Sequence, residues 1–331
     1  MKERLYGVDF IRAVCAIGII CFHYCVYNQS EFKVFYNHPY GGWGDLFVAM
    51  FFAISGGMLY YNHPRIDSLK SFYIKRWKTI FPAFYIGFFF VWLDRVYETG
   101  TVFYGGAIWK IILSVLGMDG YFAYRGLNYY LIGEWFLGAI IMLYLLYPLL
   151  LLAMDHCRFL FFVILTGLLL WEVQATCFQV IPWCNMISCM FSFYIGMLCF
   201  KHIDRMKNKW VILASFVLTV VFFCIRIPVN SIIAEHILAV FIMVLLYNLG
   251  VLLMRNKVVE WCTCKISAIS YEIFLLQHVI ILKVLQFHNS ASVRGMIFYL
   301  MISVLITMIY AIVLHVIVDK VSHSRIMKKI H

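Results

Sequence analysis

The chain has 331 residues, 64% of them hydrophobic and 13% charged, where an ordinary soluble domain carries about 25% charged residues. Its net charge of +11 would suit a nucleic-acid partner, but the Lys and Arg residues fall in short clusters between apolar spans, as loop charges do in membrane proteins. Composition therefore excludes a soluble domain and a nucleic-acid groove, and leaves an all-α polytopic membrane protein.

Spans of about 20 apolar residues are the unit to count. They fall near 8–28, 43–61, 79–97, 133–154, 159–173, 184–200, 210–227, 232–254, 266–286 and 295–318, giving about ten transmembrane helices in one domain over 1–331. A shorter apolar piece, 105–118, contains Lys110 and reads as an interfacial or re-entrant helix. Most basic residues lie in segments 1–7, 62–78, 155–158, 201–209, 255–265 and 319–331, among them Lys2, Arg325, Lys328 and Lys329. The opposite loops carry only Lys33, Lys110, Arg125, Arg226 and Arg294. That split predicts both termini on the cytoplasmic side. The N-terminal MKER and its apolar run lack the short h-region and A-x-A-like site of a cleaved signal peptide, so the run stays as the first span. The eleven cysteines follow no regular spacing and read as buried small hydrophobes. Cys262 and Cys264 lack a second pair or a His at ligand spacing, so no metal site is expected.

The first span, RLYGVDFIRAVCAIGIICFHYCVY over 4–27, holds Asp9, Arg12 and His23. Ionisable groups at membrane depth are costly and usually functional. Arg12 and His23 are eleven residues apart, which at about 100° per residue returns to within about 20° of one face after a rise of about 16–17 Å. Asp9, one turn before Arg12, is within pairing reach of its guanidinium. In the second span, FFAISGGMLYY over 51–61, Ser55, Gly56 and Gly57 read first as a packing notch where helices approach closely. YIKRWKTIFPAFYIG over 73–87 brings Lys75, Arg76 and Lys78 to the membrane surface. They serve as topogenic charge or meet an anionic substrate such as the phosphates of coenzyme A. Residues 119–135 are aromatic-rich and read as an interfacial belt, with an acceptor-glycan surface as the other reading. Glu172, Gln174 and Gln179, and Arg226, Asn230, Glu235 and His236, cluster at span ends and read as solvated loop faces. ISAISYEIFLLQHVIIL near the C-terminus carries Ser270, Tyr271, Glu272 and His278 into another span, and groups at that depth need partners. His315 and Asp319 close the last span by snorkelling or capping.

Five blocks, in order, resemble the membrane-bound acyltransferase-3 family. Arg12 and His23 fit its Arg, ten residues, His pattern within VDFIRA. Phe51, Phe52, Ser55, Gly56 and Leu59 fit its FFxxSGxLL block, and Arg76, Ile80 and Pro82 fit R-x-x-R with I-x-P, Thr79 replacing the second Arg. Trp135, Leu137, Tyr144, Leu145, Leu146 and Pro148 fit W-x-L…YLLxPLL. Ser270, Tyr271, Ile273, Leu275 and His278 fit S-Y-x-I-Y-L-x-H. Members that modify cell-wall glycans carry a Glu five residues after the Trp. Ile140 stands there, and Glu134, on a different helical face, is not given that role.

The resemblance implies transfer of an acyl group, usually acetyl, from acyl-coenzyme A as co-substrate to a hydroxyl of a cell-surface polysaccharide or lipid-linked sugar. It implies no permanently bound cofactor, and a bacterial inner-membrane protein surrounded by lipid. His23 would act as base or acyl carrier, with Arg12, on the same stripe of the helix, as the other catalytic residue. Arg76, Lys75 and Lys78 would hold the donor, and Asp9, Ser55, Trp135, Tyr144 and His278 would support the site. The expected member has none of the extracytoplasmic hydrolase-like domain that longer members append. A transporter or flippase of a lipid-linked sugar is the alternative reading. Such carriers often show repeated halves, and the chain shows no repeat.

Overall fold

A computed structural model of the chain describes residues 4–28, 34–175, 177–225, 227–287 and 292–322. Lys2, Lys33, Arg226, Arg325, Lys328 and Lys329, counted above for loop charge, lie outside the described residues. The helices are α1 Tyr6–Asn28, α2 Trp43–Asn62, α3 Leu69–Thr99, α4 Ile111–Val115, α5 Glu134–His156, α6 Arg158–Glu172 and α7 Met186–Lys201. They continue as α8 Ile203–Met206, α9 Lys209–Cys224, α10 Ser231–Leu253, α11 Lys257–Ala268, α12 Ser270–Phe287 and α13 Val293–Ser322. One two-residue antiparallel ladder pairs β1 Asn37–His38 with β2 Gly41–Gly42. The protein is an all-α polytopic membrane protein.

Each expected span is occupied by an apolar helix. Seven of them, α1, α2, α3, α5, α10, α12 and α13, are long and apolar enough to cross a bilayer, while α7 and α9 have 16 residues each and α6 has 15. α3 begins ten residues before its expected span, so the basic cluster at 75–78 is itself helical. Its start is set by Ser68, whose side chain accepts the Ser71 N–H at 3.3 Å, an N-cap that satisfies an otherwise orphaned donor. Its end is set by Gly100 at φ +67°, which returns its N–H to the Val96 carbonyl. The stretch 105–118, expected as an interfacial or re-entrant helix, holds a 3-10 turn at Ile108–Lys110 leading into the five residues of α4. Asn185, Asn208 and Asn230 cap α7, α9 and α10 in the same way as Ser68, each side chain accepting the N–H two residues on.

The chain forms two compact units, each assembled from separated stretches: 1–22, 33–67 and 145–268 in the first, and 23–32, 68–144 and 269–331 in the second. In the first unit α2 packs against α7 and α10, α9 lies on α10, and α6 on α7. Its core is built on Ile11, Leu46, Met50, Ala234, Leu238 and Tyr247. The Ser55–Gly57 notch is where α2 meets α7. A Cβ on Gly56 would run into the Phe193 carbonyl, and one on Gly196 would run into the Ala53 carbonyl, so each glycine admits the other helix's backbone.

In the second unit α12 packs on α13, and both pack on α3. The Tyr271 hydroxyl donates to the Ile80 carbonyl at 3.2 Å, and Lys283 pairs with Asp94 and, at 3.3 Å, with Glu98. These two cross-links fix α12 running in the same direction as α3. Large apolar side chains such as Phe89, Phe90, Ile309 and Val313 stand exposed, as lipid-facing residues do once water is not the solvent.

The cysteines depart from expectation in part. Cys15, Cys21, Cys25, Cys184 and Cys189 are buried, but Cys157, Cys177, Cys224 and Cys262 are exposed. Of the clusters read as solvated loop faces, Gln174, Gln179 and Asn230 are exposed, whereas Glu172, Glu235 and His236 are in the interior. Glu172, 1% exposed, accepts the Ser188 hydroxyl at 3.1 Å. The buried His236 ring meets the Ser192 hydroxyl at 2.8 Å, and Glu235 lies 3.9 Å from the buried His38 ring. Position at a span end does not make a residue wet when a neighbouring helix covers it.

Candidate active site

α1 runs unbroken past both of its polar residues, so Arg12 and His23 share one helix; both are half-buried. Asp9, expected beside Arg12, is taken up at both carboxylate oxygens by other groups. Arg4 Nε donates to Oδ2 at 2.7 Å and the Ser267 hydroxyl to Oδ1 at 2.6 Å. A carboxylate that receives a guanidinium and a hydroxyl ties the start of α1 to α11. Replacing Asp9 with alanine strands the buried Ser267 hydroxyl. It should lower stability by about 1–3 kcal/mol, read as a drop in the thermal midpoint of the detergent-solubilised protein.

The chemistry gathers around His23. Its Nε2 lies 3.9 Å from Glu134 Oε2, and the His278 Nε2 is in direct contact with Glu134 Oε1. The two imidazole centroids are 4.1 Å apart, with their planes tilted by 51°. Tyr27, one turn after His23, places its hydroxyl on His278 Nδ1, and the fully buried Gln277 donates to Glu134 Oε1 at 3.4 Å. Burial, with the Glu134 carboxylate nearby, pushes the Tyr130 phenol above its ordinary range, so it stays protonated. The three side chains of the central group are each exposed by only 12–15%.

Glu134 is the member of this cluster that sequence reasoning does not select. It was set aside on a helical-face argument, but it does not continue the helical phase of α5. At φ +39° it is in the left-handed region, next to Gly133 at φ +87°, so its side chain leaves the direction that counting back from Trp135 assigns to it. The available signal was the glycine immediately before an acidic residue at the start of an apolar span. Ile140, where some relatives of this pattern carry Glu, is buried and apolar.

Of the other candidates, Trp135 directly follows Glu134, and Lys75, Arg76 and Lys78 are on the first turns of α3. Arg76 is half-buried, its guanidinium 5.8 Å from the ring centroids of both Phe72 and Tyr144, a cation between two aromatic faces. Lys75 is exposed and Lys78 half-buried, while Trp135 and Ser55 are both partly buried. His315, expected to snorkel or cap, instead joins the buried Glu272 at 2.7 Å, with Asp319 at 3.6 Å on its other nitrogen. The cross-links Ile80 to Tyr271 and Asp94 to Lys283 put His278 level with the Phe88 region of α3. At about 1.5 Å per residue that is about 18 Å along α3 from Arg76.

A metal also deserves testing against this donor set. His23, Glu134 and His278 offer three ligand atoms within 4.8 Å of one another, and two His with one Glu is a set that zinc accepts. The same atoms also serve one another as an acid–base set, with Glu134 Oε1 on His278 Nε2 and Oε2 facing His23 Nε2.

Fold and site together define a polytopic membrane enzyme with acid–base groups sunk among its apolar helices. The model of the acyltransferase-3 family, described as an acyltransferase domain, matches residues 5–316, and the chain belongs to that family: it is a membrane acyltransferase. No curated protein and no solved structure matches the chain.

Proposed function

We propose that the enzyme moves an acyl group, acetyl in the simplest case, from acyl-coenzyme A to a hydroxyl of a cell-surface polysaccharide or lipid-linked sugar, in a bacterial inner membrane. His23 is the general base. The observation that carries this reading is the meeting of His23 with Glu134 and His278 inside a chain of the acyltransferase-3 family. An imidazole is the side chain whose ordinary pKa allows it to take and return a proton near neutrality.

The donor's phosphates dock on Arg76 with help from Lys78 and the exposed Lys75. Arg76 suits the task because its fork contacts phosphate at two points while its flat face is held by Phe72 and Tyr144. The distance of about 18 Å from Arg76 to the level of His278 is of the order that a pantetheine arm spans. A thioester carried on that arm therefore reaches the histidines while the nucleotide stays at the basic helix start.

The test is consumption of acetyl-coenzyme A by the purified full-length protein in nanodiscs, with and without a membrane glycolipid fraction, followed as free thiol released and label gained by the glycolipid. Glycolipid-dependent release supports the reading, and its absence favours a carrier. Arg76→Ala should raise KM for acetyl-coenzyme A about tenfold, the equivalent of one charge-assisted contact, with kcat nearly unchanged. A fall in kcat at constant KM would remove Arg76 from donor binding.

A further inference from the structure

We infer that Glu134 is the positioning residue of the acid–base unit, a carboxylate shared by two imidazoles that sets the tautomer and aim of both His23 and His278. The inference rests on the acyl-transfer reading in taking His23 as base, and it adds a residue that the family resemblance did not supply.

Four observations converge on it. The two carboxylate oxygens face different rings, Oε1 meeting His278 Nε2 and Oε2 facing His23 Nε2. Glu134 is the one non-glycine residue with positive φ among the described residues, and backbone strain of that kind persists only where the surroundings enforce it. The surroundings here are two glycines. Gly133 takes φ +87°, where a Cβ would also strike Leu137, and Gly120 lies so close that a Cβ would collide with the Glu134 carbonyl. Gln277, buried, then donates to Oε1 and fixes the carboxylate's rotation.

The hydrogen bonds are consistent with one tautomer throughout. A carboxylate oxygen only accepts, so with the His278 proton on Nε2, facing Glu134 Oε1, its Nδ1 accepts from the Tyr27 hydroxyl. His23 presents the same nitrogen, Nε2, to Oε2 at 3.9 Å, and a proton placed there leaves the lone pair on Nδ1. In the transfer step the acceptor hydroxyl loses its proton to His23 Nδ1 while its oxygen forms the new bond to the thioester carbon. The carbon–sulfur bond then breaks, and the leaving sulfur takes the proton back from Nδ1 as a thiol. Between those events His23 is an imidazolium, and Glu134 faces its Nε2–H. A separation of 3.9 Å in the resting protein is one that this charge would close.

The inference is tested on the full-length protein in nanodiscs with acetyl-coenzyme A and the glycolipid fraction. Glu134→Gln keeps shape and hydrogen bonding but removes the charge. It should lower kcat about a hundredfold with little change in KM, and Glu134→Asp should recover part of the loss. The double variant His23→Ala with Glu134→Gln should be no slower than His23→Ala alone, because a residue acting through His23 has nothing left to act on. A kcat for Glu134→Gln within twofold of the wild type, or losses that add in the double variant, would overturn it. A second measurement needs no turnover: carbethoxylation of His23 by diethyl pyrocarbonate, mapped by mass spectrometry, should slow severalfold in Glu134→Gln. An unchanged rate, or one equivalent of divalent metal in the purified wild type that Glu134→Gln loses, also overturns it. Glu134-dependent labelling in a protein that releases no thiol would support the assignment of Glu134 and overturn the acyl-transfer reading alone.

Discussion

His23→Ala should slow glycolipid-dependent thiol release by about a thousandfold, within the range that general-base catalysis contributes, and leave the protein folded. Both halves of that expectation come from the site. The His23 side chain is 15% exposed, so its removal leaves a gap the size of one ring that still reaches the surface. Glu134 keeps His278 and Gln277 when His23 is gone, so no buried carboxylate is left bare, and the severe penalty for an unpaired buried charge does not arise. The elution profile should therefore match the wild type, with the thermal midpoint lowered only by the packing of one lost ring. His278→Ala should cost less, about tenfold, because His278 reaches His23 through Glu134 and does not touch the acceptor in this scheme. Activity of His23→Ala within tenfold of wild type would take the base role away from His23. Equal losses in the two variants would mean that both imidazoles handle the proton directly.

What was legible in the sequence was whatever is periodic or counted. Ten apolar stretches gave the helices to within a few residues, except where polarity misled: α3 starts at Leu69 because a serine cap and a basic amphipathic turn extend a helix beyond its apolar part. The eleven-residue interval from Arg12 to His23 and the isolated His278 stood out because a polar residue among lipid-facing ones has few reasons to be there. The pairing of the two histidines did not, since nothing along the chain brings residue 278 to residue 23. Glu134 was hidden for a different reason. Helical counting assumes a helical residue, and two consecutive left-handed residues at 133 and 134 break the count. Asp9 shows what spacing leaves out: beyond the residue three positions on, Ser267, 258 residues distant, and Arg4 hold its carboxylate. Local spacing proposes contacts, and long-range packing decides among them.

Gly196→Leu should leave little folded protein to purify, and this is the largest stability effect the chain offers. At the crossing of α2 and α7 the obstacle to a side chain is backbone. The Cβ of residue 196 would lie inside the Ala53 carbonyl, and that of residue 56 inside the Phe193 carbonyl. A flexible side chain can swing aside, whereas a carbonyl in the middle of a helix moves only if its helix moves. α2 would have to withdraw from α7, giving up the dispersion contacts that stand in for the hydrophobic effect between helices in lipid. It would also withdraw from the core that Met50 and Leu46 share with α10. Overpacking of this kind costs about 3 kcal/mol or more, a large part of the about 5–15 kcal/mol that holds a protein together. Gly196→Ala should already lower the thermal midpoint, because the first carbon is the one that collides. Gly167→Ala is the control. Residue 167 is a glycine in α6 of the same unit, with nothing within 4 Å of a Cβ, so it should keep the wild-type midpoint. If Gly196→Leu melts with Gly167→Ala and the wild type, the small residues at 56 and 196 are not there to let helices touch, and a role for the Ser55–Gly57 block in the chemistry has to be reconsidered.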